Sequence, residues 1–175
     1  MHEKSGRLCW YAVHVRCGKE HRVAYLLAEK GYECFLPSIR ETGATAEPVF
    51  PGYVFCRINL GDRSTRVVST PGVIRILGYG PRPEAIPDAE IEALRRTWEA
   101  NVRVEPIAYL RSGQRVRITR GALQGIEGLM CEHKAQRRIV LQVALLQRSV
   151  ALEIDPELAG VIPVMTQHGV LPPAA

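Results

Sequence analysis

The chain has 175 residues, 46% hydrophobic and 23% charged, with a formal net charge of +5. That is a globular composition, large enough for one domain or two small ones and mildly inclined toward anionic partners such as nucleic acid. It holds no apolar run near the ~20 residues a membrane span needs, and MHEKSGRLCWYAVHV has no long apolar core before a small-residue cleavage site, so neither membrane insertion nor a signal peptide is expected.

Leu8 to Arg16 reads as a strand in which Tyr11, Val13 and Val15 alternate with Trp10, Ala12 and His14. Gly18 then opens a helix, KEHRVAYLLAEKG, with Val23, Leu26 and Leu27 at helical spacing and Gly31 as its stop. CFLPSIR, Cys34 to Arg40, is a second strand disturbed by Pro37. FPGYVFCRINL, Phe50 to Leu60, is a third. Its period of two puts Val54, Cys56 and Ile58 on a core face and Tyr53, Phe55 and Arg57 on the other. Three aromatics within six residues are conspicuous in a chain that is 6% aromatic, and the opposite face therefore needs a partner.

GDRSTRVVSTPG is a short helix or turn, VIRILGY (Val73 to Tyr79) a fourth strand, and AEIEALRRTWEA a second clear helix capped by Asp88, with Ile91, Leu94 and Trp98 on one face. Glu90 and Glu92 are read as surface carboxylates of that helix. This order predicts an α+β fold: an αβ sandwich with helices on one face of a mainly antiparallel sheet. NVRVEPIAYLRSG lacks a period and contains Pro106, as a linker does. RVRIT, GLMCEH, RIVLQVAL and SVALEI then follow as short strands with glycine turns, a small β-barrel. The expected division is 8–101, a linker over 102–111, the barrel over 112–160 and a disordered tail over 161–175.

Five cysteines, Cys9, Cys17, Cys34, Cys56 and Cys131, form no CxxC pair, which argues against a disulfide framework and fits a reducing compartment. His14, Cys17 and His21 are close in sequence, yet two or three unsupported ligands do not close a tetrahedral zinc site. No GxSxG, P-loop or HExxH motif is present, so no enzyme, catalytic residue, metal or cofactor is expected; a Cys17–His21 pair stays formally open.

In VRITRGALQGIEGLM, Val116 to Met130, glycines stand four and seven residues after the first turn glycine. Gly121 suits a positive φ, while Gly125 and Gly128 suit a tight second turn and close backbone approach. This resembles the KOW motif. WYAVHVR, FLP, FPGYVF, TPGV and IPDAEIEAL, in that order, resemble the N-terminal domain of NusG-type transcription factors. TPGVIRILGYG and LLQRSVALEI resemble the specialised paralogs of the UpxY and RfaH kind, with housekeeping NusG as the neighbour.

The resemblance implies a ferredoxin-like N-terminal domain joined to an SH3-like KOW barrel in a cytoplasmic, monomeric, non-enzymatic elongation and antitermination factor. It implies an apolar patch for the clamp helices of the largest catalytic RNA polymerase subunit, carried by position onto Phe50, Pro51, Tyr53 and Phe55, with Trp10 and His14 adjoining. Lys19, His21 and Arg22 fall where the family approaches the non-template DNA strand, and Arg63, Ser64 and Thr65 where it touches the gate loop. The barrel, with Arg120, Lys134, Arg137 and Arg138, would contact Rho, a small-subunit ribosomal protein or RNA. Its β-branched runs RIVLQV and SVALEI favour a stable barrel over refolding into helices. A KOW-type RNA-binding or ribosome-associated protein is the alternative; it explains the barrel and the charge but not FPGYVF.

Overall fold

A computed structural model describes residues 7–39, 46–60, 64–108, 113–133 and 136–164. The first half runs β1 (Cys9–Val15), α1 (Glu20–Glu29), β2 (Glu33–Phe35), β3 (Ser38–Ile39), β4 (Glu47–Pro48), β5 (Tyr53–Ile58), α2 (Ser64–Val68), β6 (Val73–Ile76), β7 (Gly78–Tyr79), β8 (Arg82–Pro83) and α3 (Asp88–Glu99). The second runs β9 (Val104–Ala108), β10 (Gln114–Ile118), β11 (Glu127–His133), β12 (Gln136–Val143), a 3₁₀ turn (Ala144–Leu146), β13 (Arg148–Leu152), α4 (Pro156–Ala159) and β14 (Val161–Pro163). The fold is α+β, as the sequence predicts.

The first sheet has the order β2-β5-β1-β6, and each of its pairings is antiparallel. Opposite β1, β5 sets Val54 against Val13, Phe55 against Ala12 and Cys56 against Tyr11. Side chains therefore sort onto two faces. Tyr11, Val13, Val15, Val54, Cys56 and Ile58 form one core with Val23 and Leu27 of α1 and Val67 of α2. Trp10, Ala12 and Phe55 form the other with Phe50, Ile86 and α3 residues Ile91 and Leu94. The expectation of helices on a single face is corrected here. Both faces of β1 and β5 are apolar, so both need a covering layer, and α3 takes the side opposite α1.

Both long helices end in the same backbone motif. Gly31 (φ +85°) follows α1, with Gly31 N–H donating to Ala28 O and Tyr32 N–H to Leu27 O. Asn101 (φ +52°) follows α3, with Asn101 N–H donating to Trp98 O and Val102 N–H to Thr97 O. These paired bonds satisfy the last helical carbonyls through a left-handed residue. At the other end of α3, Pro87 occupies the cap position without a side-chain bond, and Asp88 is already helical. Asp88 thus contributes charge at the positive end of the helix dipole with Glu90, not the expected cap.

The second sheet has six strands in the order β14-β10-β11-β12-β13-β9. Val116, Ile118, Ile139, Leu141, Val143, Val150 and Leu152 are buried in its core. It reaches past both sequence-drawn boundaries. The stretch 102–111 contains β9, which pairs with β13 from Leu152↔Val104 to Arg148↔Ala108. The stretch from 161 contributes β14, paired with β10. Each is an outer strand, where proline is tolerated because no inner neighbour needs its missing N–H; Pro106 and Pro163 hid the pattern. The expected strand Cys34–Arg40 splits around Pro37 into β2 and β3, and VIRILGY gives up Gly78–Tyr79 to a hairpin with β8.

Candidate functional site

The expected strand from Phe50 starts only at Tyr53: the Phe50-Pro51-Gly52-Tyr53 segment is a tight turn leading into β5. Tyr53 N–H donates to Phe50 O at 3.1 Å, Pro51 stands second and Gly52 third with φ +85°. This is the type II arrangement, which needs a positive φ at its third residue. Two further bonds fix the turn to β1 and to α1. Val15 N–H donates to Gly52 O, and Gly52 N–H donates to Glu20 Oε1, both at 2.8 Å. Glu20 is 3% exposed and stands in the first turn of α1. Its carboxylate thereby ties the helix start to the turn, a link that the sequence reading missed because the partner is a backbone N–H 32 residues away.

All six residues expected to face polymerase lie together. Trp10 and His14 of β1 share a face with Tyr53 and Phe55 of β5, with Phe50 and Pro51 in the adjoining turn. The face is not open, however. Trp10, Phe50 and Phe55 are 5%, 2% and 0% exposed within the core that continues through α3 into the second sheet. Phe55 meets Phe50 edge-on at 5.6 Å between ring centroids, and Phe35 stacks on Phe55 while meeting Trp98 edge-on. Arg95 of α3 lies 5.8 Å over the Trp10 ring and pairs with Glu33, which also pairs with Arg57. The two guanidinium groups hold the Glu33 carboxyl below the usual range.

The accessible part is the rim. Pro51 is exposed, while Tyr53 and His14 are half-buried and stacked at 5.2 Å with a 25° interplanar angle. His14 Nδ1 is buried and has no hydrogen-bond partner among the described residues.

Lys19, His21 and Arg22 are all exposed around the start of α1. Lys19 is at the cap position, and His21 Nε2 hydrogen-bonds with Ala46 O at 2.9 Å. Lys19 and Arg22 stand at the positive end of the helix dipole, where a cation does not stabilise the helix, and both present their charge outward. Of the expected gate-loop residues, Arg63 and the side chains of Ser64 and Thr65 lie outside the described residues, and Ser64 and Thr65 begin α2.

In the second sheet Gly121 (φ +80°) and Gly125 (φ +88°) make the turn between β10 and β11. Gly128 is in β11, where a Cβ would come within 2.8 Å of Val140 O. Arg120 and Arg137 are exposed, Arg138 is half-buried, and Lys134 lies outside the described residues. Glu90 is not the surface carboxylate expected: it is half-buried and accepts Ala144 N–H at 3.2 Å. Burial raises its pKa, partly offset by that bond. With Arg96 donating to Ala122 O, it joins α3 to the second sheet. The helical period placed Ile91 and Leu94 inward correctly but gave no sign that a second unit would cover Glu90.

The family model described as "Transcription termination factor nusG" matches residues 8–95 of this chain. A curated protein of Thermus thermophilus, "Transcription termination/antitermination protein NusG", is 27% identical over 173 residues, covering 83% of this chain and 94% of that protein. The protein of that name from Deinococcus radiodurans is 26% identical, covering 83% and 95%. The solved structure "Domain interaction in Thermotoga maritima NusG" matches with a TM-score of 0.54 at 21% identity, covering 83% of this chain and 93% of that one, which is a likeness of fold.

Proposed function

The chain belongs to the NusG family, and from that premise we propose that it is a transcription elongation and antitermination factor that docks on RNA polymerase through the Tyr53 face. The observation that carries the proposal is the stacked Tyr53–His14 pair beside the exposed Pro51, at the accessible end of the aromatic sheet face. The docking partner is the clamp helices of the largest catalytic subunit. An apolar contact of this rim with helical side chains persists at salt concentrations that weaken phosphate contacts. A whole aromatic buries about 150–250 Å², so half-buried Tyr53 retains roughly 2–3 kcal/mol of burial to contribute, as an upper bound. That alone does not offset an association cost of ~4–15 kcal/mol, so Pro51, His14 and charged contacts must contribute too.

The remaining surfaces have roles in the same complex. Lys19, His21 and Arg22 contact the non-template strand, and Arg63, Ser64 and Thr65 touch the gate loop of the other large subunit. Bound at both sides, the chain bridges the cleft and favours the closed clamp over the open one, which suppresses pausing and termination by population shift. The second sheet, with its glycine turns, recruits Rho or a small-subunit ribosomal protein. TPGVIRILGYG and LLQRSVALEI support a specialised paralog of the UpxY and RfaH kind acting on selected operons in the cytoplasm.

The test is transcription in vitro on a template with defined pause and terminator sites. The proposal expects more full-length run-off product, and less paused and terminated RNA, with the wild-type chain and none of that gain with Tyr53→Ala/His14→Ala. Unchanged pausing and read-through with wild-type protein, on the cognate template, would overturn it. The second reading, binding of free RNA or ribosome, draws on exposed Arg120 and Arg137; tight binding to RNA with none to polymerase would favour it.

A further inference from the structure

Two cysteines that the polymerase face does not use lie side by side on the other face of the sheet. Cys34 of β2 and Cys56 of β5 are directly opposed in the antiparallel register, with sulfurs 3.7 Å apart in a thiol–thiol hydrogen bond. Opposed antiparallel residues have Cα atoms about 4.5 or 5.5 Å apart, depending on their place in the ladder. Both spacings fall inside the roughly 4.4–6.8 Å that a disulfide spans, so closure needs side-chain rotation and no change of register. We propose that Cys34 and Cys56 are a peroxide-oxidisable dithiol that closes into a cross-strand disulfide and staples β2 to β5.

The two thiols are not equivalent. Cys34 is half-buried on the outer strand β2, whereas Cys56 is fully buried on the neighbouring inner strand. The bond with Cys56 lowers the Cys34 pKa against the opposing effect of burial, while the same bond and burial push Cys56 well up. Cys34, the one a small oxidant can reach, is therefore the attacking sulfur and fully buried Cys56 the resolving thiol. The Cys34 sulfur attacks one oxygen of hydrogen peroxide. The O–O bond breaks, the departing hydroxide takes a proton to become water, and Cys34 becomes a sulfenic acid. The Cys56 sulfur then attacks the Cys34 sulfur; the S–S bond forms, the S–O bond breaks, and hydroxide leaves with the Cys56 proton as a second water. Two thiols and one peroxide give one disulfide and two waters, a two-electron oxidation.

The consequence is mechanical. β2 has only three residues and sits at the sheet edge. Its register places Phe35 opposite Phe55, where it also meets Trp98. A covalent bond one residue away fixes that contact, so oxidation stiffens the edge behind the aromatic face.

The test uses the full chain, fully reduced, then exposed to hydrogen peroxide and alkylated. Trypsin separates the two cysteines into peptides 31–40 and 41–57. The expected result is one crosslink joining these peptides, an intact mass lower by two hydrogens, and reversal by dithiothreitol. The oxidised chain should melt roughly 5–10 °C higher. Cys34→Ser should leave Cys56 as a free thiol after peroxide, and Cys56→Ser should trap Cys34 as a sulfenic acid that a cyclic diketone captures. Should Cys56→Ser fail to fold, Cys17→Ser, which removes an exposed competitor, must still give the 31–40/41–57 crosslink. A crosslink through other cysteines, Cys34 driven to sulfinic acid with Cys56 still a thiol, or no reaction of Cys34 where Cys17 is oxidised would each overturn the proposal.

Discussion

Replacing Glu20 with alanine removes the acceptor that receives Gly52 N–H at 2.8 Å and leaves that buried donor without its partner. Two effects oppose each other. Removing a buried carboxylate relieves a desolvation cost, while an unsatisfied buried N–H costs about 1–3 kcal/mol and a lost charge-assisted bond about 1.5–3 kcal/mol. The donor cannot move to another acceptor, because Gly52 is held at φ +85° inside the turn and its carbonyl is already bound to Val15. The loss therefore wins, at about 2 kcal/mol, or roughly 4–8 °C in melting temperature for a chain of this size. Glu20→Gln keeps an oxygen acceptor and sheds the charge, so it should lose only about half as much. Thermal denaturation followed by circular dichroism measures both variants, and amide exchange at Gly52 should accelerate in Glu20→Ala. If both variants melt within about 1 °C of wild type, the bond does not hold the turn and the reasoning fails.

Gly128→Ala should destabilise the second sheet by about 1–3 kcal/mol, because its Cβ would meet Val140 O at 2.8 Å and Ile139 Cγ2 at 2.9 Å. Gly121→Ala has open space and only positive-φ strain, so it should cost less in the same melting experiment; the reverse order would contradict this packing. Glu90 has a folded-state pKa raised by burial, so its contribution is complete below the unfolded value and is lost as pH rises through the folded value. The stability of wild type relative to Glu90→Gln should therefore fall as pH rises from about 4 toward 7, and a pH-independent difference in melting temperature would refute it. Lys19→Ala/His21→Ala/Arg22→Ala should reduce crosslinking to the non-template strand and flatten the salt dependence of DNA binding by roughly one unit of slope per lost phosphate contact. Unchanged crosslinking would return the three to a solvated helix face.

Much of this architecture is legible in the residues because local chemistry and tertiary packing agree. The period of two in YVFCRI assigns Val54, Cys56 and Ile58 to one core and Phe55 to the opposite face of the sheet. Gly121 and Gly125 specify their turn, whereas Pro51-Gly52, expected inside the third strand, makes a turn ahead of it. What escaped the sequence depends on distance or on brevity. The two-residue strands Ser38–Ile39 and Glu47–Pro48 are too short to show a period. Pro106 and Pro163 disguise strands that exist only because each takes an edge. The stripe of Ile91 and Leu94 says that α3 has a buried side, but not which face of the sheet it covers. That choice decides whether Trp10, Phe50 and Phe55 are surface or core, and it leaves Pro51, Tyr53 and His14 as the accessible remainder.

Binding to purified core RNA polymerase, measured for the wild-type chain and for Tyr53→Ala/His14→Ala with both shown to be folded, tests the central claim most directly. The account predicts binding by the wild-type chain and a loss of at least about tenfold in the variant, the equivalent of ~1.4 kcal/mol. Equal affinity of the two would contradict docking through this face, and no binding by the wild-type chain would contradict the polymerase as partner.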